Sequence, residues 1–236
     1  MLKKLLIFVL ALAVVGARAQ KFTASYLNLE QMVAGIDLAP GNINPGGPAP
    51  SSFTDEIWNG GTTVSVSGPA YAAGLSKRAV ALPAGVSQFT VSYQTRASQA
   101  SARYSQANET DLMIVDGAGT LYNGSTRLDN QEGGEWQITN ARGAWVDTGF
   151  KPGLFPADTW VQVSVVYQAN WSASTLSVVS IAQGGQVFSI PAALASVETM
   201  ANSGWQKNLL DVQLQETLVV AGSYTRDMKN INIACQ

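Results

Sequence analysis

The 236-residue chain has no histidine, a single cysteine and a charged fraction of 13%. Without histidine, Ser-His-Asp and Cys-His nucleophile systems are excluded in their usual form, and so are His-ligated zinc and copper sites. Any catalysis has to run on carboxylates, Tyr, Lys or Arg. Cys235 is the only thiol, so no intrachain disulfide braces the fold and the core must hold it unaided, which about 215 residues allow. A lone thiol beside the C-terminus of an exported chain is either inert and free or used between chains, which leaves a disulfide-linked partner through Cys235 open. The low charge comes with abundant Ser, Thr, Asn and Gln, which suits an exported surface wetted through neutral polar groups.

Long apolar runs are also scarce, apart from the first residues. Lys3 and Lys4 precede an apolar stretch from Leu5 to Gly16 that closes in Ala17-Arg18-Ala19. A basic start, a short apolar core and an A-x-A end make a secretory leader, residues 1–19, with cleavage expected after Ala19. The run is too short for a membrane anchor, which needs ~20 apolar residues, so no membrane insertion is expected. Without Lys3, Lys4 and Arg18 the chain keeps 11 bases against 16 acids, a net charge of −5. That surface repels phosphate polymers and anionic lipid, so nucleic acid is not an expected partner and neutral glycans remain one. The expected location is extracellular or periplasmic.

What the chain does have is period-two alternation. Residues 20–52 hold one extended stretch, "KFTASYLNL", and a Pro/Gly-rich loop between Pro40 and Pro50 that is neither helix nor central strand. The main domain is placed at 53–236. In "QFTVSYQT", Phe89, Val91 and Tyr93 share one face; in "TWVQVSVVYQ", Val161, Val163, Val165 and Tyr167 do; "DVQLQETLVV" and "KNINIA" repeat the pattern. One buried and one wet face is the mark of antiparallel sheet. Gly-rich breaks at 116–119, 130–135 and 183–186 supply turns, the last a hairpin. The only helical candidate is "PAALASVETMAN" at 191–202. The expected fold is therefore all-β, an antiparallel two-sheet jelly-roll sandwich.

The block "DTWVQVSVVYQANWSASTLSVVSIAQGGQVFSIP" resembles concanavalin A-like lectins and glucanases, in which a Trp opens an alternating strand and a Gly-Gly hairpin closes the next. The resemblance implies a concanavalin A-like sandwich and leaves function open, since such folds host lectins, glycoside hydrolases, polysaccharide lyases and adhesion modules. Two local likenesses test those options. "NETDLMIVD" at 108–116 is similar to the E-x-D-x-x-E strand of β-sandwich glucanases, but the places for the second Glu hold Met113 and Ile114. Asp116 lies about 23 Å from Glu109 along a strand, against about 5 to 10 Å for paired glycosidase carboxylates. The plainer reading is a polar strand start at Glu109 and Asp111 with a turn at Asp116-Gly117. "VAGSYTR" at 220–226 is similar to the C-terminal segment of alginate lyase-like jelly rolls in Ala221, Gly222 and Tyr224, while Val220 and Arg226 replace that family's Lys and Gln; Thr139 in "WQIT" replaces its His. A lyase would have to use Tyr224 as acid or base, with Arg142 or Arg226 neutralising the uronate.

Binding asks for less. Sugar faces stack on aromatic rings while amides and charged groups fix hydroxyls. Trp136 and Trp145 flank "QITNARGA", so Trp136, Trp145, Asn140 and Arg142 are the densest candidate ligand-binding set; Trp58, Trp171 and Trp205 also sit among glycines or polar residues, and Trp160 opens a strand. The loop "RLDNQEGGE" offers Asp129 and Glu132 to a calcium ion, or is a solvated turn; no other cofactor is expected. Three sequons begin at Asn108, Asn123 and Asn170. The expectation is a secreted, non-catalytic glycan-binding or surface-associated module. The alternatives are a Tyr224-based polysaccharide lyase or a glycoside hydrolase, and a structural cell-surface or matrix protein.

Overall fold

The computed structural model describes residues 24–26, 33–34, 52–58, 60–97 and 104–236. The leader at 1–19 and the Pro/Gly loop at 40–50 lie outside them. Two antiparallel sheets account for nearly all of the regular structure.

The first sheet runs in the order β13 (Gln186–Ser189), β12 (Thr175–Gln183), β11 (Val161–Asn170), β6 (Gln88–Ala97), β16 (Gly222–Cys235), β4 (Gly61–Gly68), β3 (Ser52–Trp58), with β1 (Ala24–Tyr26) also paired to β16. The second runs β10 (Trp145–Asp147), β9 (Glu135–Thr139), β8 (Leu121–Asp129), β7 (Ser105–Val115), β15 (Leu209–Leu218), β5 (Ala73–Ala81), β2 (Val33–Ala34), with β14 (Glu198–Met200) beside β8. From β4 to β7 the chain switches sheet at every strand, and β15 to β16 switches again, the long-range crossing of a jelly roll. β1 and β2 contribute a strand to each sheet, so part of the segment before residue 53 belongs to the sandwich.

The alternation read from sequence sets the inner layer. Phe89, Val91 and Tyr93 of β6 and Val163, Val165 and Tyr167 of β11 meet Leu112, Ile114, Leu128, Trp136 and Ile138 of the other sheet in one buried cluster. Each such side chain contributes on the order of 1.5–3 kcal/mol on leaving water. The β12–β13 hairpin turns on Gly184 and Gly185 at φ +57° and +87°, the two positive angles that a type I′ turn requires.

The helix expected at 191–202 does not form. Residues 192–194 make a turn, and beyond it the chain runs extended as β14. Ala195 O accepts from Val178 N and Val197 N donates to Leu176 O, so the segment buries Ala195 and Val197 against β12. Tertiary pairing has overridden an alanine-rich helical propensity. Among the described residues the one helical turn with a defined cap is the 3₁₀ turn Trp171–Ala173, closed by the Asn170 side chain.

β7, β8 and β9 break the alternation. Nearly every residue in them is buried, on the outer face as well as the inner. An outer face that is both polar and buried singles out this part of the second sheet.

Candidate functional site

Cross-strand register assembles that face. Glu109 of β7 stands opposite Arg127 of β8 and Gln215 of β15, Asp111 opposite Ser125 and Gln213, and Met113 opposite Asn123 and Asp211. Further out, Gln137 of β9 stands opposite Arg127, with Asp147 of β10 beside Gln137 and Trp145 beside Thr139. The period of two puts all of these on one side of the sheet.

The bonds run across the strands. Gln215 Nε2 donates to Glu109 Oε2 at 3.2 Å, Arg127 Nε donates to Gln137 Oε1 at 2.7 Å, and Gln137 Nε2 donates to Asp147 Oδ1 at 2.7 Å. The Arg127 guanidinium lies 4.3 Å from the centre of the Trp145 ring. Trp145 is half-buried and Asp147 exposed, so the face opens toward β10. At its other end Met113, Val115 and Leu121 form a small apolar cluster capped by Met200, Trp205 and Leu209.

Between them lies a buried acid pair. Glu109 and Asp111 are two residues apart on one face, and Asp111 is 1% exposed with no donor bonded to either carboxyl oxygen. The Ser125 hydroxyl opposite donates to Asn123 Oδ1 at 2.5 Å instead. Burial pushes Glu109 up to about 7, offset in part by the Arg127 charge. Burial and then the Glu109 charge hold Asp111 well above the usual carboxylate range. Buried carboxyls held above their usual range in this way make the face a functional-site candidate.

This corrects the reading of Glu109 and Asp111 as a polar strand start. They sit in mid-strand, although the turn at Asp116 forms as expected, with Asp116 Oδ1 accepting from the backbone N–H of Ala118, Gly119 and Thr120.

The lyase candidates lie inside the sandwich. Tyr224 and Arg226 alternate on the inward face of β16 and each is 1% exposed. Arg226 Nη1 pairs with Glu216 Oε1 at 2.9 Å, and its Nε donates to Thr95 Oγ1 at 2.9 Å. The Tyr224 hydroxyl accepts from Asn108 Nδ2 at 3.1 Å, and burial raises its pKa further from neutrality. Neither side chain reaches a surface where a polymer can lie. Arg142 is exposed in the turn after β9, on neither side of that pair.

The tryptophan set divides as well. Trp136 points inward from β9, is fully buried and donates its Nε1–H to Gln183 Oε1 at 2.8 Å. It is core and cannot stack on a sugar. Asn140 spends its Oδ1 on the backbone N–H of Arg142 and Ala144, tying the turn. Trp145 alone of that set belongs to the polar face.

In the acidic loop, Asp129 Oδ1 accepts from the N–H groups of Gln131 and Glu132, and Glu135 is held by Lys151 at 2.6 Å. Among the described residues no three acids converge as a metal site. Of the sequons, Asn108 is buried in the core network and Asn170 is exposed. Arg127, Gln137, Gln213 and Gln215 were not singled out from sequence; only their cross-strand register reveals them.

No protein-family profile matches the chain, and no curated protein matches it. Solved structures do. Peanut lectin in complex with a nine-residue peptide superposes with a TM-score of 0.50 at 13% identity, over 91% of this chain and 98% of the lectin. An alginate lyase in complex with an alginate trisaccharide gives 0.50 at 14% identity, over 91% and 97%. At such identities the likeness is one of fold, and the fold is the concanavalin A-like jelly-roll sandwich.

Proposed function

We propose that this chain is an exported glycan-binding β-sandwich that holds its ligand at the β10 edge of the outer face of the second sheet without cleaving it. The observation that carries this reading is the in-register row Trp145/Asp147, Gln137 and Arg127, which sets an indole, a carboxyl, an amide and a guanidinium at the edge where the face opens, backed by the buried Glu109 and Gln215. Sugar recognition uses those groups. The structural neighbours of the same fold include a lectin and a lyase seen with a saccharide, which agrees with a glycan ligand.

The geometry argues against cleavage. Both carboxyl oxygens of Asp111 are closed off from solvent, whereas a glycosidase sets two accessible carboxyls across the scissile bond, about 5–5.5 Å apart in a retaining enzyme and further in an inverting one. Met113 occupies the place from which a further carboxylate would complete the strand motif. A second reading, hydrolysis with Glu109 as the acid, is favoured by one observation: its carboxyl is pushed up to about 7, near the optimum for proton transfer.

Affinity electrophoresis of residues 20–236 in gels cast with neutral polysaccharides, with reducing ends and unsaturated uronates assayed in parallel, tests both. The expected outcome is retardation without product, weakened roughly tenfold or more by Arg127→Ala, about 1.4 kcal/mol. Product release that Glu109→Gln abolishes would establish the hydrolase instead. Unretarded migration in every gel would end the glycan reading of this face.

A further inference from the structure

On the opposite side of the sandwich, the outer face of the first sheet carries a second aromatic corner that the proposed glycan face does not use. Trp58, at the end of β3, is 36% exposed. Trp160, just before β11, is partly exposed, and the two ring centroids lie 6.4 Å apart at an interplanar angle of 59°. The Arg96 guanidinium and the Lys229 ammonium lie 5.0 Å and 4.1 Å from the centre of the Trp160 ring.

The corner is built rather than incidental. Trp58 Nε1 donates to Thr63 Oγ1 at 3.1 Å, Thr63 Oγ1 donates to Asp227 Oδ1 at 2.7 Å, and Arg96 Nε and Nη2 both donate to Asp227 Oδ2, at 2.9 and 2.6 Å. This chain of bonds links Trp58 and the Trp160 partner Arg96 across β4, β16 and β6. Gly61, opposite Trp58 in the register, makes room for the indole: a Cβ there would overlap the ring. An indole held in place by a hydrogen bond and a glycine, yet left in solvent, has its side-chain entropy already spent and its apolar face still wet. Both lower the cost of stacking a ligand on it.

We infer that this corner is a second saccharide subsite, for the pyranose units of a neutral polysaccharide. The tilted indoles suit the axial C–H face of a pyranose ring. Asp227, Arg96 and Lys229 supply an acceptor and donors for its hydroxyls. The charges balance, with Arg96 and Lys229 against Asp227 and the exposed Glu56 one strand away, so the corner has no net attraction for a polyanion. The adjoining strands extend the surface with neutral polar groups, Gln94 and Ser92 on β6 and Gln162 and Ser164 on β11. With both faces occupied, one molecule bridges two polysaccharide chains.

The test compares Trp58→Ala and Gly61→Ala with Arg127→Ala on the opposite face, by affinity electrophoresis in soluble β-glucan, mannan and xylan, with an unfolding midpoint for each variant. The expected result is a tenfold or greater loss of retention for Trp58→Ala at an unchanged midpoint, a loss for Gly61→Ala, and multiplicative losses when Trp58→Ala is combined with Arg127→Ala. Retention sensitive to Arg127→Ala alone overturns this subsite and leaves the reading of the second sheet intact. Sensitivity to Trp58→Ala alone does the reverse. Absence of retention in all three gels overturns both.

Discussion

Arg226 and Glu216 are the most consequential pair of side chains in the interior. One hangs from the first sheet and one from the second, and both are essentially unexposed. The carboxylate accepts from Arg226 Nη1, from Asn108 Nδ2 on both oxygens and from the Ser105 hydroxyl. Burial raises Glu216 and Arg226 opposes that rise, while Glu216 in turn raises Arg226. Four hydrogen bonds to the carboxylate favour its ionised form against the burial that opposes it. Removing one partner strands the other charge, which costs about 3–5 kcal/mol, whereas replacing both with apolar side chains is often close to neutral. Arg226→Met should therefore lower the free energy of unfolding by that amount in a denaturant titration, and Arg226→Met combined with Glu216→Leu should recover most of it. A single variant as stable as the parent would show that the pair is not charged in the folded state.

Cys235 belongs to the same scale. Its side chain is fully buried among the core residues, and burial pushes the thiol up to about 11. A thiol that is neutral and enclosed neither attacks a disulfide nor reaches another chain. This removes the disulfide-linked partner from the expectations drawn from sequence. A thiol reagent at pH 8 should label the folded protein negligibly within an hour and label one group per chain at once in denaturant. Rapid labelling of the folded protein would contradict the burial.

At the level of elements, the strands are joined across the sandwich by close approaches that only certain residues permit. Tyr167 of β11 donates its hydroxyl to Gly124 O at 2.9 Å, and a Cβ at Gly124 would meet the Tyr167 ring at 2.7 Å and Leu112 O at 2.8 Å. Glycine inside a strand marks such an approach. Gly124→Ala must push the ring away or shift β8 against β7, an overpacking cost of about 1–3 kcal/mol, read as a drop of several degrees in Tm at unchanged secondary structure. An unaltered Tm would mean that the ring can move without loss.

The elements also show why part of the architecture could be read in advance. β6 and β11 have one wet face, so Phe89, Val91, Val163 and Val165 stand out against Gln, Ser and Thr, and their strands are plain in the sequence. β7 to β9 are buried on both faces, and their outer residues are Glu, Asp, Arg and Gln, which resemble solvent-facing positions until the register places them side by side. Trp136 illustrates the limit. Its neighbours Gly134, Glu135 and Gln137 suggest a loop, while its direction is fixed by pairing with Leu128, and no local pattern carries that pairing. Tyr224 and Arg226 fall likewise: a motif gives spacing along the strand, and the sheet's orientation decides whether that face looks at solvent or at the core.

On the scale of the whole molecule, a chain with few charges concentrates its response to pH in the handful that are buried. Glu109 titrates near 7 in the fold against 4.5 for an unperturbed glutamate, and Asp111 is shifted the same way. A carboxyl whose pKa is raised by folding binds its proton more tightly in the native state. Its contribution favours folding below the unfolded pKa, is withdrawn as pH climbs from about 4.5, and is fully lost above about 7. For Glu109 alone that withdrawal amounts to roughly 3 kcal/mol at most. Asp116 works in the opposite sense at lower pH. Backbone N–H groups and Tyr122 bond its carboxylate and lower its pKa despite partial burial, so it adds stability above pH 3.8 that is lost on acidification. The two together predict a stability maximum near pH 4, between the range where Asp116 loses its contribution and the range where Glu109 begins to lose its own, followed by a decline toward pH 8. Calorimetric unfolding across that range should show it, and Glu109→Gln should flatten the decline by removing the ionisation that causes it. A Tm that holds level or rises from pH 5 to pH 8 in the parent protein would mean that Glu109 and Asp111 are solvated in the native state, and the polar face would then be open along its whole width rather than only toward β10.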